Sequence, residues 1–320
     1  MTELVNYHSR IKHKFIETYF NIWTDRVANP GKGKKTKNIP TLEIYDLYAA
    51  SGWCRCNECK EFQVAEERWE GSALLAAKCI AKYPKSKKLF LNSYNPDPKK
   101  CKEDRKILKE SLKALDNYSS FESKIKIISK PIEQAVEIAK SEVNPDYPSI
   151  CLLDPYEPKQ LPWNIIEQIG KIEGNYRIKG KPRRPELIIN FMTSYLQRFA
   201  DIQPEALTLA LGLPQSIWEP KLQDYSYHYG NRREAILQMF YDRLGELYEK
   251  TPIVYTVRDI TERAIVYCLI LCTDHDAGHF TMRIHEIPKL ERWVIEQWRP
   301  NAKALVKRKA LGKEQTTLNL

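Results

Sequence analysis

The chain has 320 residues, 42% of them hydrophobic and 29% charged, with only 12 glycines; this composition supports a sizeable core and excludes a disordered or collagen-like chain. A formal net charge of +10 favours a polyanionic partner such as nucleic acid, a solvated lysine-rich surface being the other reading. The longest apolar run, residues 264–273, is about ten residues against the roughly 20 that a membrane span needs, and the first residues lack a signal-peptide core. A soluble, cytoplasmic protein is therefore expected, whose eight cysteines are reduced and open to metal or redox chemistry.

In chain order, Ile11, Phe15, Tyr19, Ile22 and Trp23 form a helical stripe over residues 8–25, with Arg10, Lys12, His13 and Lys14 assigned to the other faces. A loop with four lysines at 29–38 follows, closing an N-terminal segment at residue 38. Leu42, Ile44, Tyr45 and Leu47 read as a buried first strand. It runs into the small residues Ala49, Ala50, Ser51 and Gly52, which let backbone approach a ligand. Such a strand end is where open α/β sheets seat nucleotide-like cofactors, although an ordinary tight turn has the same composition. A helix over 71–81, a strand at 88–92, a helix over 102–116, a strand at 125–128 and a helix from Pro131 come next. Ile150 to Leu153 is an apolar strand ending in Asp154, Pro155 and Tyr156. A helix over 162–172 then leads through the basic stretch 176–184 into a strand at 187–191. Residues 193–250 read as a helical insert over one edge of the sheet. Strands at 253–257 and 264–272, a last helix and a basic tail at 299–320 close the chain.

Buried strands alternating with helices predict an α/β fold: a doubly wound, mostly parallel seven-stranded sheet with the helical insert, in one domain spanning 1–320. The turns after strands one and four then lie beside each other at the switch point. Asp154 and the Pro155 carbonyl can accept the two hydrogens of a planar exocyclic amine, and Tyr156 offers a face for a flipped base; a plain strand-ending turn is the alternative. Cys54, Cys56 and Cys59 are spaced closely enough for a zinc knuckle, with Cys79 or Cys101 as a fourth ligand, or are reduced thiols in an inserted loop. Lys179, Lys181, Arg183 and Arg184 are candidate phosphate contacts.

The sequence resembles the three-Cys-motif partner protein family. The matching residues are Lys12 to Lys14, Tyr45 to Ala49, Gly71 and Ser72, Leu153 to Tyr156 with Trp163, Ile189 to Phe191, and Leu269 to His275 with Gly278 and Met282. They span almost the whole chain. The resemblance implies a class I S-adenosylmethionine-dependent methyltransferase-like fold, and a protein partner that itself bears the three-cysteine motif. It also implies cofactor contacts from Asp46, Tyr48, Ala49, Ser51 and Gly52, with Asn92 where methyltransferases place an acidic ribose contact. The chain departs from the pattern at Ala50, Asn92, Ser129 with Lys130, and Glu157. Two readings follow: a methyltransferase-like protein acting on an exocyclic amine of nucleic acid, or a non-catalytic nucleic-acid-binding or partner-binding protein on the same fold.

Overall fold

The computed structural model describes residues 3–28, 41–56, 68–82, 86–116, 118–173, 177–178, 181–182, 184–304 and 306–307. A short strand β1 (Glu3–Val5) and helix α1 (Ser9–Ala28) precede the first long strand, β2 (Thr41–Asp46). Then follow β3 (Trp53–Cys56), β4 (Arg68–Glu70), α2 (Ser72–Ala81), β5 (Ser86–Asn92), α3 (Pro98–Lys113), β6 (Ile125–Ile128), α4 (Ile132–Glu142), β7 (Ser149–Leu153) and α5 (Trp163–Gly170). A hairpin of β8 (Arg177–Ile178) and β9 (Lys181–Pro182) leads to β10 (Glu186–Phe191). Next come the helices α6 (Thr193–Phe199), α7 (Pro204–Leu211), α8 (Gln215–Tyr229) and α9 (Arg232–Gly245). Strands β11 (Ile253–Arg258) and β12 (Ile265–Cys272) and helices α10 (Asp276–Thr281) and α11 (Ile287–Trp293) complete the order.

Among the described residues the main sheet has seven strands in the order β11-β12-β10-β7-β2-β5-β6. Only β12 opposes the rest, pairing antiparallel with both β10 and β11. The protein is therefore a mixed α/β structure with a mostly parallel sheet and helices on both faces. The cause is legible in the strands, whose side chains alternate between two buried faces. Leu42, Ile44, Leu89, Leu91, Ile150 and Leu152 pack against α1, α2 and the C-terminal helices. Tyr45, Phe90, Cys151, Leu153, Leu187 and Ile189 pack against α5 and the helices α6 to α9.

Residues 193–250 thus cover a face of the sheet, where the sequence pattern suggests an edge. Phe240 of α9 stacks on Phe191 at 3.9 Å between ring centroids and meets Trp163 edge-on. The second difference is at the cysteines. The segment after Gly52 enters a separate small sheet in which β3 pairs parallel with β1 and antiparallel with β4. Strands this short carry too little periodicity to be read from sequence. The third difference is in α1. His13 is buried, and Lys12 turns inward as described below, although their polarity assigns both to the outer faces.

Candidate functional site

The C-terminal ends of β2, β5, β6, β7 and β10 converge on two adjoining cavities. The first, of about 710 Å³, lies over β2, β5 and β6 and includes Ser51, Asn92, Asn95, Asp104, Glu133 and Tyr156 in its walls. The second, of about 390 Å³, lies between α1 and the ends of β7 and β10, with His8, Lys12, His13, Ser72, Asp154 and Asn190 in its lining. Tyr48, Ala50 and Tyr156 line both and form the partition.

The turn after β2 is shaped from below and from the side. Asp46 is fully buried and accepts the Tyr48 N–H at 3.2 Å. Burial raises its carboxyl to about 6, against the opposing effect of a Ser72 hydroxyl hydrogen bond, with a further upward push from Asp154. Gly52 has φ +97°, and a Cβ there would sit 3.2 Å from Leu74 Cγ. Its carbonyl accepts the Gly71 N–H at 2.8 Å, fixing the start of α2. Ser51 Oγ is buried and has no hydrogen-bond partner among the described residues.

Asn92 is spent on architecture. Its Nδ2 donates to the carbonyls of Leu47 at 3.1 Å and Lys130 at 3.0 Å, while Oδ1 accepts the Lys130 N–H at 3.0 Å. These bonds tie together the ends of β2 and β5 and the turn after β6. Both amide hydrogens are thus committed, leaving only acceptor capacity toward a ligand. Polar residues that line the first cavity beyond the sequence expectations include Ser93, Asn95, Asp104, Glu133, Lys159 and Gln160.

In the second cavity Asp154 is the centre. Lys12 Nζ stands 2.6 Å from Oδ2, and Asn190 Nδ2 donates to Oδ1 at 2.8 Å. Pro155 is buried, whereas Tyr156 is 58% exposed at the mouth. Gln160 braces the partition: its side-chain Oε1 accepts the Tyr156 N–H at 3.0 Å, and its main-chain carbonyl accepts the Tyr48 hydroxyl. The nearby histidines are neutral. Burial, helped by the adjacent Lys12 charge, lowers His8 to about 4 and His13 to about 3. His13 Nδ1 accepts the Trp69 indole N–H at 2.9 Å, so its own proton sits on Nε2. Sequence reasoning named Lys12 among the residues that carry the resemblance but gave it no place in the site, although a signal existed: residues 12, 15, 16 and 19 share one helical face, and the last three are buried.

The other expected sites are dispersed. Cys54 and Cys56 alternate with Trp53 and Arg55 on β3 and are buried, while Cys59 lies outside the described residues. Cys79 is occupied elsewhere, its sulfur 2.6 Å from Thr24 Oγ1 and its thiol pushed up to about 12 by burial. Among the described residues no three His, Cys, Asp or Glu side chains converge as a metal centre. Lys179 and Arg183 lie outside the described residues, and Lys181 is described only by its backbone in β9. Arg184 pairs with Glu173 and donates to the Leu247 carbonyl. It precedes β10, so at ~3.3 Å per residue it stands roughly 20 Å from Asn190 at the site. Among the described residues no helix is long and apolar enough to cross a membrane. No family model matches the chain, and no curated protein matches it.

Proposed function

We propose that the chain is an S-adenosylmethionine-dependent methyltransferase-like protein of the family its sequence resembles, acting on an exocyclic amine of nucleic acid. The observation that carries this reading is the pair of adjoining cavities at the strand ends, divided by Tyr48, Ala50 and Tyr156, one sized for a cofactor and the other centred on Asp154. The strand order supports it, because a single reversed strand one place in from the edge is the arrangement of class I methyltransferase sheets.

The first cavity suits the cofactor. Its volume falls within the ~300–1,000 Å³ typical of small-molecule sites. Ser51, Asn95, Asp104 and Glu133 supply polar contacts to ribose and base, and Tyr94 and Tyr156 supply aromatic faces. Gly52 lets the turn approach without a Cβ. When bound, the cofactor supplies a methyl group on an activated leaving group, so the chain has mainly to align the acceptor. Asp154 and the Pro155 carbonyl hold the amine hydrogens, Lys12 and Asn190 fix the Asp154 carboxylate, and Tyr156 stacks on the acceptor ring. The net charge of +10 favours a polyanionic partner.

Asn92 favours the second reading, a non-catalytic nucleic-acid-binding or partner-binding protein, because its amide hydrogens are held by backbone carbonyls where a ribose contact was expected. Calorimetric titration with S-adenosylmethionine separates the two. Binding with loss of transfer in Asp154→Ala supports the first; absence of heat at millimolar ligand refutes it.

A further inference from the structure

The second cavity contains a carboxylate and an ammonium set side by side. Asp154 Oδ2 and Lys12 Nζ are 2.6 Å apart, and their side chains are 14% and 15% exposed. Both line the cavity. Neither is loosely placed. Asn190 Nδ2 holds the other Asp154 oxygen, and Lys12 belongs to a helix anchored by Ile11, Phe15 and Tyr19, all buried. A carboxylate keeps lone pairs after accepting two hydrogen bonds, and an ammonium carries three donors. The two groups can therefore hold each other and still present an acceptor next to a donor.

The complement of that edge is a donor next to an acceptor. A heterocycle with an exocyclic amine beside an unprotonated ring nitrogen has it, as adenine and cytosine do on their pairing edges. We propose that Lys12 is a specificity-determining residue that donates to this bare ring nitrogen while Asp154 accepts from the adjacent amine. The site thereby selects amino-bearing bases with an open ring nitrogen. This inference rests on the reading of the second cavity as the acceptor site. It assigns Lys12, from the N-terminal helix, a part in recognition that the strand-end residues do not supply.

The test is binding of the full chain to a short single-stranded thymidine oligonucleotide carrying one central adenine, compared with the same strand carrying 1-deazaadenine, in which the ring nitrogen becomes C–H. Loss of one such directed contact weakens binding by roughly tenfold. The wild-type protein is expected to show this preference, Lys12→Met to bind both strands equally, and Lys12→Arg, which keeps a charged donor, to retain most of it. Equal binding of the two strands by the wild-type protein overturns the inference, as does an undiminished preference in Lys12→Met or failure to bind either strand. If Lys12→Met does not fold, the wild-type comparison, repeated with cytosine and 3-deazacytosine, still decides it. S-adenosylmethionine titration of the same sample keeps the two proposals apart. Base discrimination without cofactor binding refutes methyl transfer alone; cofactor binding without discrimination refutes the role of Lys12 alone.

Discussion

Replacing Asp46 by asparagine tests the electrostatics beneath the turn. The carboxyl is fully buried and is raised from its ordinary 3.8 to about 6, chiefly by desolvation. A carboxyl whose folded value lies above its unfolded value favours the folded state only while protonated. The native protein is therefore penalised as pH rises from below 4 through 6, and the full penalty persists above that window. A rise of this size corresponds to about 3 kcal/mol, of which about 2 kcal/mol accrues between pH ~4.5 and pH ~7.5. An asparagine side chain cannot ionise, and its amide oxygen can still accept the Tyr48 N–H. Urea unfolding of both proteins at the two pH values should show Asp46→Asn gaining on the wild type by about 2 kcal/mol as pH rises. A stability difference that stays constant with pH would refute the reasoning, whatever its size.

Asn92→Ala removes three hydrogen bonds to backbone at a position 2% exposed. At about 1 kcal/mol each it should lose roughly 3 kcal/mol in urea unfolding. A much smaller loss with a large fall in cofactor affinity would show Asn92 to be a ligand contact instead. Gly52→Ala forces a side chain onto φ +97° and against Leu74. It should cost ~1–3 kcal/mol and weaken ligand binding at the turn; an unchanged melting temperature would refute that account of the strain.

How much of this is legible in the sequence depends on what each residue's signal is made of. The strands at Ile150 to Leu153 and Leu187 to Ile189 are uninterrupted apolar runs because both faces of a parallel sheet are covered, and that pattern needs no tertiary knowledge. Asp154 stands out because a charged residue ends such a run. Lys12 reads as an outer residue when charge is weighed before position, although its spacing to Phe15, Ile16 and Tyr19 sets it on the buried stripe. Asn92 is legible as a strand-end residue but not as a brace. Its partners at Leu47 and Lys130 are far away in sequence, and hydrogen bonds to backbone leave no trace in residue identity. The small sheet of β1, β3 and β4 depends on long-range pairing of strands three or four residues long, which local pattern does not specify.

The hydrogen bond from Gly71 to Gly52 has a consequence for how this chain can vary. The segment that carries β3 and β4 begins and ends at points one hydrogen bond apart, 2.8 Å from Gly71 N to Gly52 O. β3 and β4 are also paired with each other, which holds the two ends of the connection between them. Doubling such a loop costs only about 0.6 kcal/mol in closure entropy. The main sheet and both cavities can thus keep their geometry while the connection between β3 and β4 changes in length, provided the two glycines, the pairing of β3 with β1 and the buried Cys54 in the wall of the second cavity remain.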